Sequence, residues 1–274
     1  MAPLSPRPLA LAAALLALAA CRPSPDTPAA PAPPTLTTAA DSLAWRMASA
    51  TGTPEGWARV PFLRFDFHSS TPGDTARPRP PRRHLWDRQS GAYRLEMARP
   101  DSAIVALFNV NDARAGRVFV NGAPVADTAA ARRWLDRAYQ SFVNDSYWLL
   151  APSKLFDDGV TRAIDADSSA RDGAPVLRVS FDGVGLTPGD RYWLRPDPAT
   201  GRLDTWQFHL EGSDAPGPRI RWTPWTAFAT PAGDTLRLAP DHVHPNGRIV
   251  HTDAIAFPAT VPAGVFTDPS VAMP

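Results

Sequence analysis

The sequence predicts an α+β protein, a strongly curved antiparallel sheet covered by helices. Three observations carry this expectation. Residues 177–182 alternate, with Leu177, Val179 and Phe181 on one side and Arg178, Ser180 and Asp182 on the other, which is the period of a half-buried strand. Two more alternating runs follow: Tyr192 and Leu194 against Arg191, Trp193 and Arg195, then Trp206, Phe208 and Leu210 against Thr205, Gln207 and His209. The segments between them are turn chemistry, Thr187-Pro188-Gly189-Asp190 and Asp197-Pro198-Ala199-Thr200-Gly201, the second with Gly201 available for a positive φ.

The covering helix is predicted just upstream, over Asp127 to Leu150. Trp134, Ala138 and Phe142 recur every four residues with Leu135, Tyr139 and Val143 beside them, a broad apolar stripe. Asn144-Asp145-Ser146 reads as a stop and a new cap, and Tyr147 to Leu150 then ends against Pro152. Such an aromatic helix needs a partner, and the apolar face of the sheet is the obvious one.

The remaining elements follow in chain order. Asp41 to Ala50 is a short helix with Asp41 or Ser42 as its N-cap, stopped by Gly52 and Pro54. Leu63, Phe65 and Phe67 alternate with Arg64, Asp66 and His68. His84 to Arg88 and Tyr93 to Met97 form a hairpin around Ser90-Gly91, with Tyr93, Leu95 and Met97 inward. Residues 103–110 are apolar on both faces and read as a well-covered strand. Arg117 to Val120 is turned by Asn121-Gly122, and further strands are expected near 219–228, 235–239 and 248–257, with an irregular tail from Pro258. The total is about ten strands and two or three helices.

The N-terminus carries an address. In residues 1–20, Arg7 is followed by an apolar run from Leu9 to Ala20, which reads as a signal peptide and is too short for an ordinary membrane span. It ends in Leu18-Ala19-Ala20-Cys21, the pattern of a bacterial lipobox, and Cys21 is the only cysteine of the chain. The thiol becomes a diacylglycerol thioether, and cleavage before Cys21 frees an amine for a third acyl chain. Several chains together anchor stably where one is marginal. Arg22 follows; by analogy with Gram-negative sorting, where Asp at that place retains a lipoprotein in the inner membrane, it directs the protein to the outer membrane, facing the periplasm. Residues 21–40 are the lipidated Cys and a disordered Pro/Ala/Thr tether, and residues 41–274 a single domain. Without Arg7 the mature chain has as many acidic as basic residues. That leaves no electrostatic case for nucleic acid.

The stretches YWLLAPSKLFDDGV (147–160) and SFDGVGLTPGDRYWLRPDPATGRLDTWQF (180–208) resemble a family of bacterial envelope lipoproteins. That family in turn is similar to the superfamily of LolA, LolB and related lipoprotein-sorting factors. The resemblance spans most of the chain from Asp41 to Phe266. It implies a half-open antiparallel β-barrel closed by helices over an apolar cavity, and hence a lipid, an acyl chain or a lipoprotein anchor as ligand. No functional residue of LolA itself maps onto a position here.

No catalytic constellation stands out. GxSxG, Ser-x-x-Lys, HExxH and phosphate-loop patterns are absent. His242-x-His244 with His251 is the one metal-like spacing, a weak signal that polar residues on an edge hairpin beside Pro245-Asn246-Gly247 explain better. Asp157-Asp158, Asp165 and Asp167 lack EF-hand spacing. Arg94 and Glu96 look like a surface ion pair, and Lys154, the only lysine, could be a buried amine at a helix–strand junction. The expectation is a non-enzymatic protein with no metal and no cofactor. Its nine Trp residues either fill a core or line a cavity. The cavity reading, taken from the resemblance, names Phe65, Phe67, Trp86, Tyr93, Leu95, Trp134, Tyr147, Trp148, Leu149, Trp206 and Phe208. The alternative is a structural or sensory interaction module with a filled core.

Overall fold

Thirteen antiparallel strands form one sheet, and its strand order explains the layout of the chain. The computed structural model describes residues 33–73, 80–183 and 185–274; the expected signal peptide, Cys21 and the tether up to residue 32 lie outside the described residues. A first meander, β1 (Phe62–Ser70), β2 (Arg82–Asp87), β3 (Ala92–Arg99), β4 (Ser102–Asn109), β5 (Asp112–Val120) and β6 (Ala123–Pro124), runs outward to one edge. A second begins at the opposite edge with β7 (Val160–Ile164) and runs inward through β8 (Leu177–Phe181), β9 (Arg191–Pro196), β10 (Leu203–His209) and β11 (Ile220–Thr223). The last strands, β14 (Asp241–Val243) and β15 (Ile249–Ala256), fill the middle: β14 pairs with β11, and β15 pairs with both β14 and β1. The edges β6 and β7 are not paired with one another, so the sheet is open. A separate hairpin, β12 (Thr226–Ala229) and β13 (Thr235–Leu238), packs beside it.

Four helices accompany the sheet: α1 (Ala39–Thr51), α2 (Pro54–Ala58), α3 (Thr128–Leu150) and α4 (Ala166–Asp172), with a 3-10 turn at Ala151–Lys154. The α+β expectation with a large antiparallel sheet therefore holds. The 15 strands exceed the expected number because several are short. The 219–228 strand is in fact two, broken at Pro224, which has no N–H for a ladder bond. The pair β7–α4 was not read from the sequence at all.

The first helix starts earlier than expected, and α2 was not read from the sequence. The α1 N-cap is Thr38: its hydroxyl accepts from the Asp41 N–H while Asp41, at the third helical position, closes a capping box. Pro54 does not only end α1. It occupies the first turn of α2, where its missing N–H costs nothing.

The long helix α3 crosses the inner face of the sheet. Its N-terminal half sets Trp134, Leu135, Ala138 and Phe142 on Tyr93, Leu95, Phe108 and Val118. Its C-terminal half sets Leu149 and Leu150 on Leu63, Phe65, Phe67 and Val250. The expected break at Asn144-Asp145-Ser146 does not occur, and the helix runs unbroken to Leu150. Asp145 is not a cap because its carboxylate is occupied on the sheet side, by Arg82 and His84.

The outer face is also covered. Arg94, expected in a surface pair, is 2% exposed. It pairs with Glu96, and its guanidinium donates to the carbonyls of Val265, Asp268 and Pro269, so the irregular tail is tied down over Leu85. Lys154 is not a buried amine; it pairs at the surface with Asp157.

Gly116 on β5 marks where helix and sheet come closest. A Cβ there would lie 2.6 Å from Phe108 Cβ and 2.7 Å from both the Leu107 carbonyl oxygen and Leu135 Cδ2. Gly116→Ala should cost about 1–3 kcal/mol, as overpacking does. Urea unfolding measures it, and an unchanged midpoint would mean that α3 rides freely over β5.

Candidate functional site

Two side-chain constellations lie between α3 and the sheet. The first is polar and closed. Arg82 grips Asp145 with two bonds, Nε–Oδ2 at 2.6 Å and Nη2–Oδ1 at 2.7 Å. His84 Nε2 lies 3.1 Å from Asp145 Oδ2, a charge contact off the line of a hydrogen bond, while its Nδ1 meets the Tyr93 hydroxyl at 2.7 Å. Burial works to raise the Asp145 pKa; His84 and Arg82 outweigh it and hold the carboxyl below its ordinary value. Burial holds the His84 imidazole down as well. A Tyr–His–Asp chain resembles an acid–base relay, but all three side chains are fully buried and no reacting atom could approach them. It serves as a clamp between helix and sheet.

The second constellation is aromatic and reaches solvent. Tyr147 and Trp148 project from the last turns of α3 towards β8, β9 and β10. Tyr147 sits edge-on to Tyr192 at 5.2 Å and to Phe181 at 6.0 Å between ring centroids. Trp148 sits edge-on to Trp206 at 4.8 Å and to Phe208 at 6.0 Å. Phe181, Tyr192 and Phe208 share a face because they are inward positions of neighbouring strands, with Phe208 and Tyr192 in direct register. All five side chains are half-buried. The same end of the sheet exposes Leu210 beyond β10 and Leu186 in the loop after β8.

Behind this rim lies a deeper group. Trp206, Trp222 and His242 are fully buried and in ring contact, Trp206–Trp222 at 5.1 Å and Trp222–His242 at 4.4 Å. Trp148 contacts His242 at 5.2 Å and stacks on His244 at 6.2 Å. Among the described residues, neither indole N–H of Trp206 and Trp222 nor either ring nitrogen of His242 has a hydrogen-bond partner. Buried polar groups without partners are uncommon and costly. Burial, with His244 and His251 adding to it, pushes His242 down to about 3, so this imidazole is neutral.

The eleven residues expected at a cavity are all described, and they fall into three contiguous groups. Trp86, Tyr93 and Leu95 pack with Trp134 at the first half of α3. Phe65 and Phe67 pack with Leu149 at its second half. Tyr147, Trp148 and Phe208 are in the aromatic rim, with Trp206 directly behind it. Trp86 and Trp148 each join two groups. Phe181 and Tyr192 of the rim, and Trp222 and His242 of the group behind it, were not named for the cavity from the sequence, although the alternation of β8 and β9 placed the first two on the inner face. The proposed His242, His244 and His251 set is split. His242 points inward to Trp222, whereas His251 faces the other side of the sheet. Two shallow recesses lie elsewhere, one of about 280 Å³ at Arg99, Ala130, Arg133, Trp134 and Arg137, the other of about 330 Å³ at Leu107, Asn109, Gly116 and Phe266.

No family model matches the chain, and no curated protein matches it. Among solved structures it is similar to a DUF1329 family protein from Desulfovibrio piger ATCC 29098, at 8% identity and a TM-score of 0.36, over 82% of this chain and 94% of that one. Among the described residues, no helix is long and apolar enough to cross a membrane.

The neutral His242 makes stability depend on pH. Unfolded, an imidazole takes a proton near 6.5; folded, His242 takes one only near 3. Between these values the unfolded state binds more protons, so stability falls as pH falls. The slope from this residue is at most about 1.4 kcal/mol per pH unit. In His242→Phe the loss between pH 6.5 and pH 5 should shrink by up to about 2 kcal/mol, read from urea unfolding at each pH. Parallel pH profiles for the two proteins would show that His242 is not buried neutral.

Proposed function

We propose that this chain is a non-catalytic lipoprotein of the bacterial envelope, anchored through acylated Cys21 to the outer membrane on its periplasmic side. In this reading the open sheet and α3 act as a half-open barrel of the LolA and LolB kind, and bind a lipid, an acyl chain or a lipoprotein anchor. The carrying observation is the aromatic rim. Tyr147, Trp148, Phe181, Tyr192 and Phe208 hold five large half-buried rings at one end of the helix-covered face, beside exposed Leu186 and Leu210. Apolar surface gathered in one place favours a hydrophobic ligand. The unpartnered nitrogens of Trp206, Trp222 and His242 behind the rim suit the polar end of such a ligand, an ester or amide carbonyl. Nothing in the buried Tyr93–His84–Asp145 chain asks for a reaction.

A second reading is favoured by a different observation. The rings touch, with Trp148 and Trp206 at 4.8 Å, so a ligand must part them before it can bind. If they do not part, the domain is a filled interaction module of the envelope.

Two experiments decide. Trp148→Ala, followed by thermal unfolding and by fatty-acid and lipopeptide binding, separates the readings. A binding rim predicts a stability loss well under the about 3–5 kcal/mol of a core Trp, together with weakened binding. A loss of that full size, with no lipid bound by either protein, leaves the filled module. For the anchor, Cys21→Ala should move the protein from the membrane to the soluble fraction on cell fractionation; retention in the membrane would sink the lipoprotein reading.

A further inference from the structure

The outer face of the three central strands holds a group of side chains that neither reading uses. His68 on β1 and His251 on β15 are direct cross-strand partners, and their rings stack at 4.6 Å with 22° between planes. Asp253 stands two residues further along β15, so it points the same way as His251. Its Oδ2 is 2.5 Å from His68 Nε2. The ligand atoms of His68, His251 and Asp253 all lie within 4.8 Å of one another. From these we infer that His68, His251 and Asp253 form a binding site for a divalent transition cation.

The chemistry fits on four counts. Two imidazoles and one carboxylate are a donor set that suits Zn²⁺ and its neighbours, and they leave one position open. Nitrogen and oxygen ligands sit about 2.0–2.2 Å from zinc, and so roughly 3.3–3.6 Å from one another in a tetrahedron; the three atoms must close by up to about 1.5 Å to converge. His251 is oriented by a further group. Asp241, its register partner on β14, lies 2.9 Å from His251 Nδ1. A carboxylate there accepts a hydrogen bond from Nδ1–H, fixes the tautomer and leaves the Nε2 lone pair for a cation. At present that lone pair faces the Ser70 hydroxyl at 2.8 Å, a contact that a cation or its bound water would replace. Finally, the local charge is right. Asp66, the register partner of Asp253, adds a carboxylate on this face and pairs with Arg64 at 3.0 Å.

The scaffold is stiff where it must be. The ligands come from adjacent strands in the middle of the sheet rather than from loops. Immediately past Asp253 the ladder bulges, and Ala254 takes a φ of 48°, an uncommon conformation for a residue with a side chain. Bulges of this kind recur beside functional sites, where they re-aim a side chain.

The chain offers a clean readout because it has only six histidines, 68, 84, 209, 242, 244 and 251. The full chain, purified without a tag in detergent and treated with chelator, is titrated with Zn²⁺ while imidazole NMR signals and calorimetric heats are recorded. One equivalent should bind, and only the His68 and His251 signals should shift. His68→Gln and His251→Gln, both at half-buried positions on the outer face, should each lower affinity at least tenfold. Asp241→Asn should lower it about 10–100-fold while keeping the one-to-one stoichiometry, as an orienting group does. Shifts at His209 or His244 instead, millimolar affinity only, or equal affinity in the His68→Gln/His251→Gln double variant would overturn the inference. Should one single variant fail to fold, the other and the wild-type NMR pattern still decide.

Discussion

A single buried carboxylate fixes the relation of helix to sheet. Asp145 sits on the sheet side of α3 with no solvent exposure, and a charge in that place is tolerable only if it is fully matched. Arg82 matches it with two short bonds and His84 adds its ring edge, both from β2. Apolar packing would let a helix slide or rotate over a flat face at little cost. An ion pair with fork geometry does not, because moving α3 by one turn would strand a charge in the core. Everything that α3 brings to the sheet takes its position from this pair, including Trp134 and Phe142 on one side and Tyr147 and Trp148 on the other. The net contribution to stability of such a pair is small beside its effect on uniqueness of packing.

The same pair shows where reading the sequence runs out. The strands around Leu177, Tyr192 and Trp206 were legible because each alternates locally and is bounded by Gly and Pro turns. The stripe of α3 was legible for the same reason at a different period. Asp145 was misread as a helix stop, since a lone acid in an apolar run looks like a cap until its partners are known. Those partners are some sixty residues away on β2, and no local pattern announces them. Arg94 failed in the same way: its place on an alternating strand said surface, and only the returning tail makes it interior. Of the rim and the group behind it, Tyr147, Trp148, Trp206 and Phe208 could be named from their faces. His242 could not, because β14 is three residues long and its neighbour β11 comes from a different hairpin.

The two faces of the sheet carry different chemistry by simple alternation. Inward positions of β1, β2, β10 and β14 are Phe65, His84, Trp206 and His242, all in ring contact with a neighbour. Outward positions of β1, β14 and β15 are His68, Asp241, His251 and Asp253, joined by hydrogen bonds and open to water on one side. One pleat thus separates an apolar, helix-covered compartment from a polar one by the thickness of a backbone. Whatever binds inside has no path to the outer group except around an edge.

The strand order carries a consequence for assembly. β1 lies beside β15, which is the last strand of the sheet to be synthesised. The first meander can pair with itself early, and so can the second, since both are built from sequence neighbours. Their joint in the middle must wait for residues 241–256. Until then β1 and β11 each present an unpaired edge, the feature by which incomplete sheets add to one another. A chain threaded across a membrane N-terminus first would therefore spend its longest time as two half-sheets with α3 between them. Contacts of such long sequence separation are the slow ones to form. A nascent chain of this design needs either rapid closure of that joint or a holding chaperone, because its most vulnerable edges are also its most central.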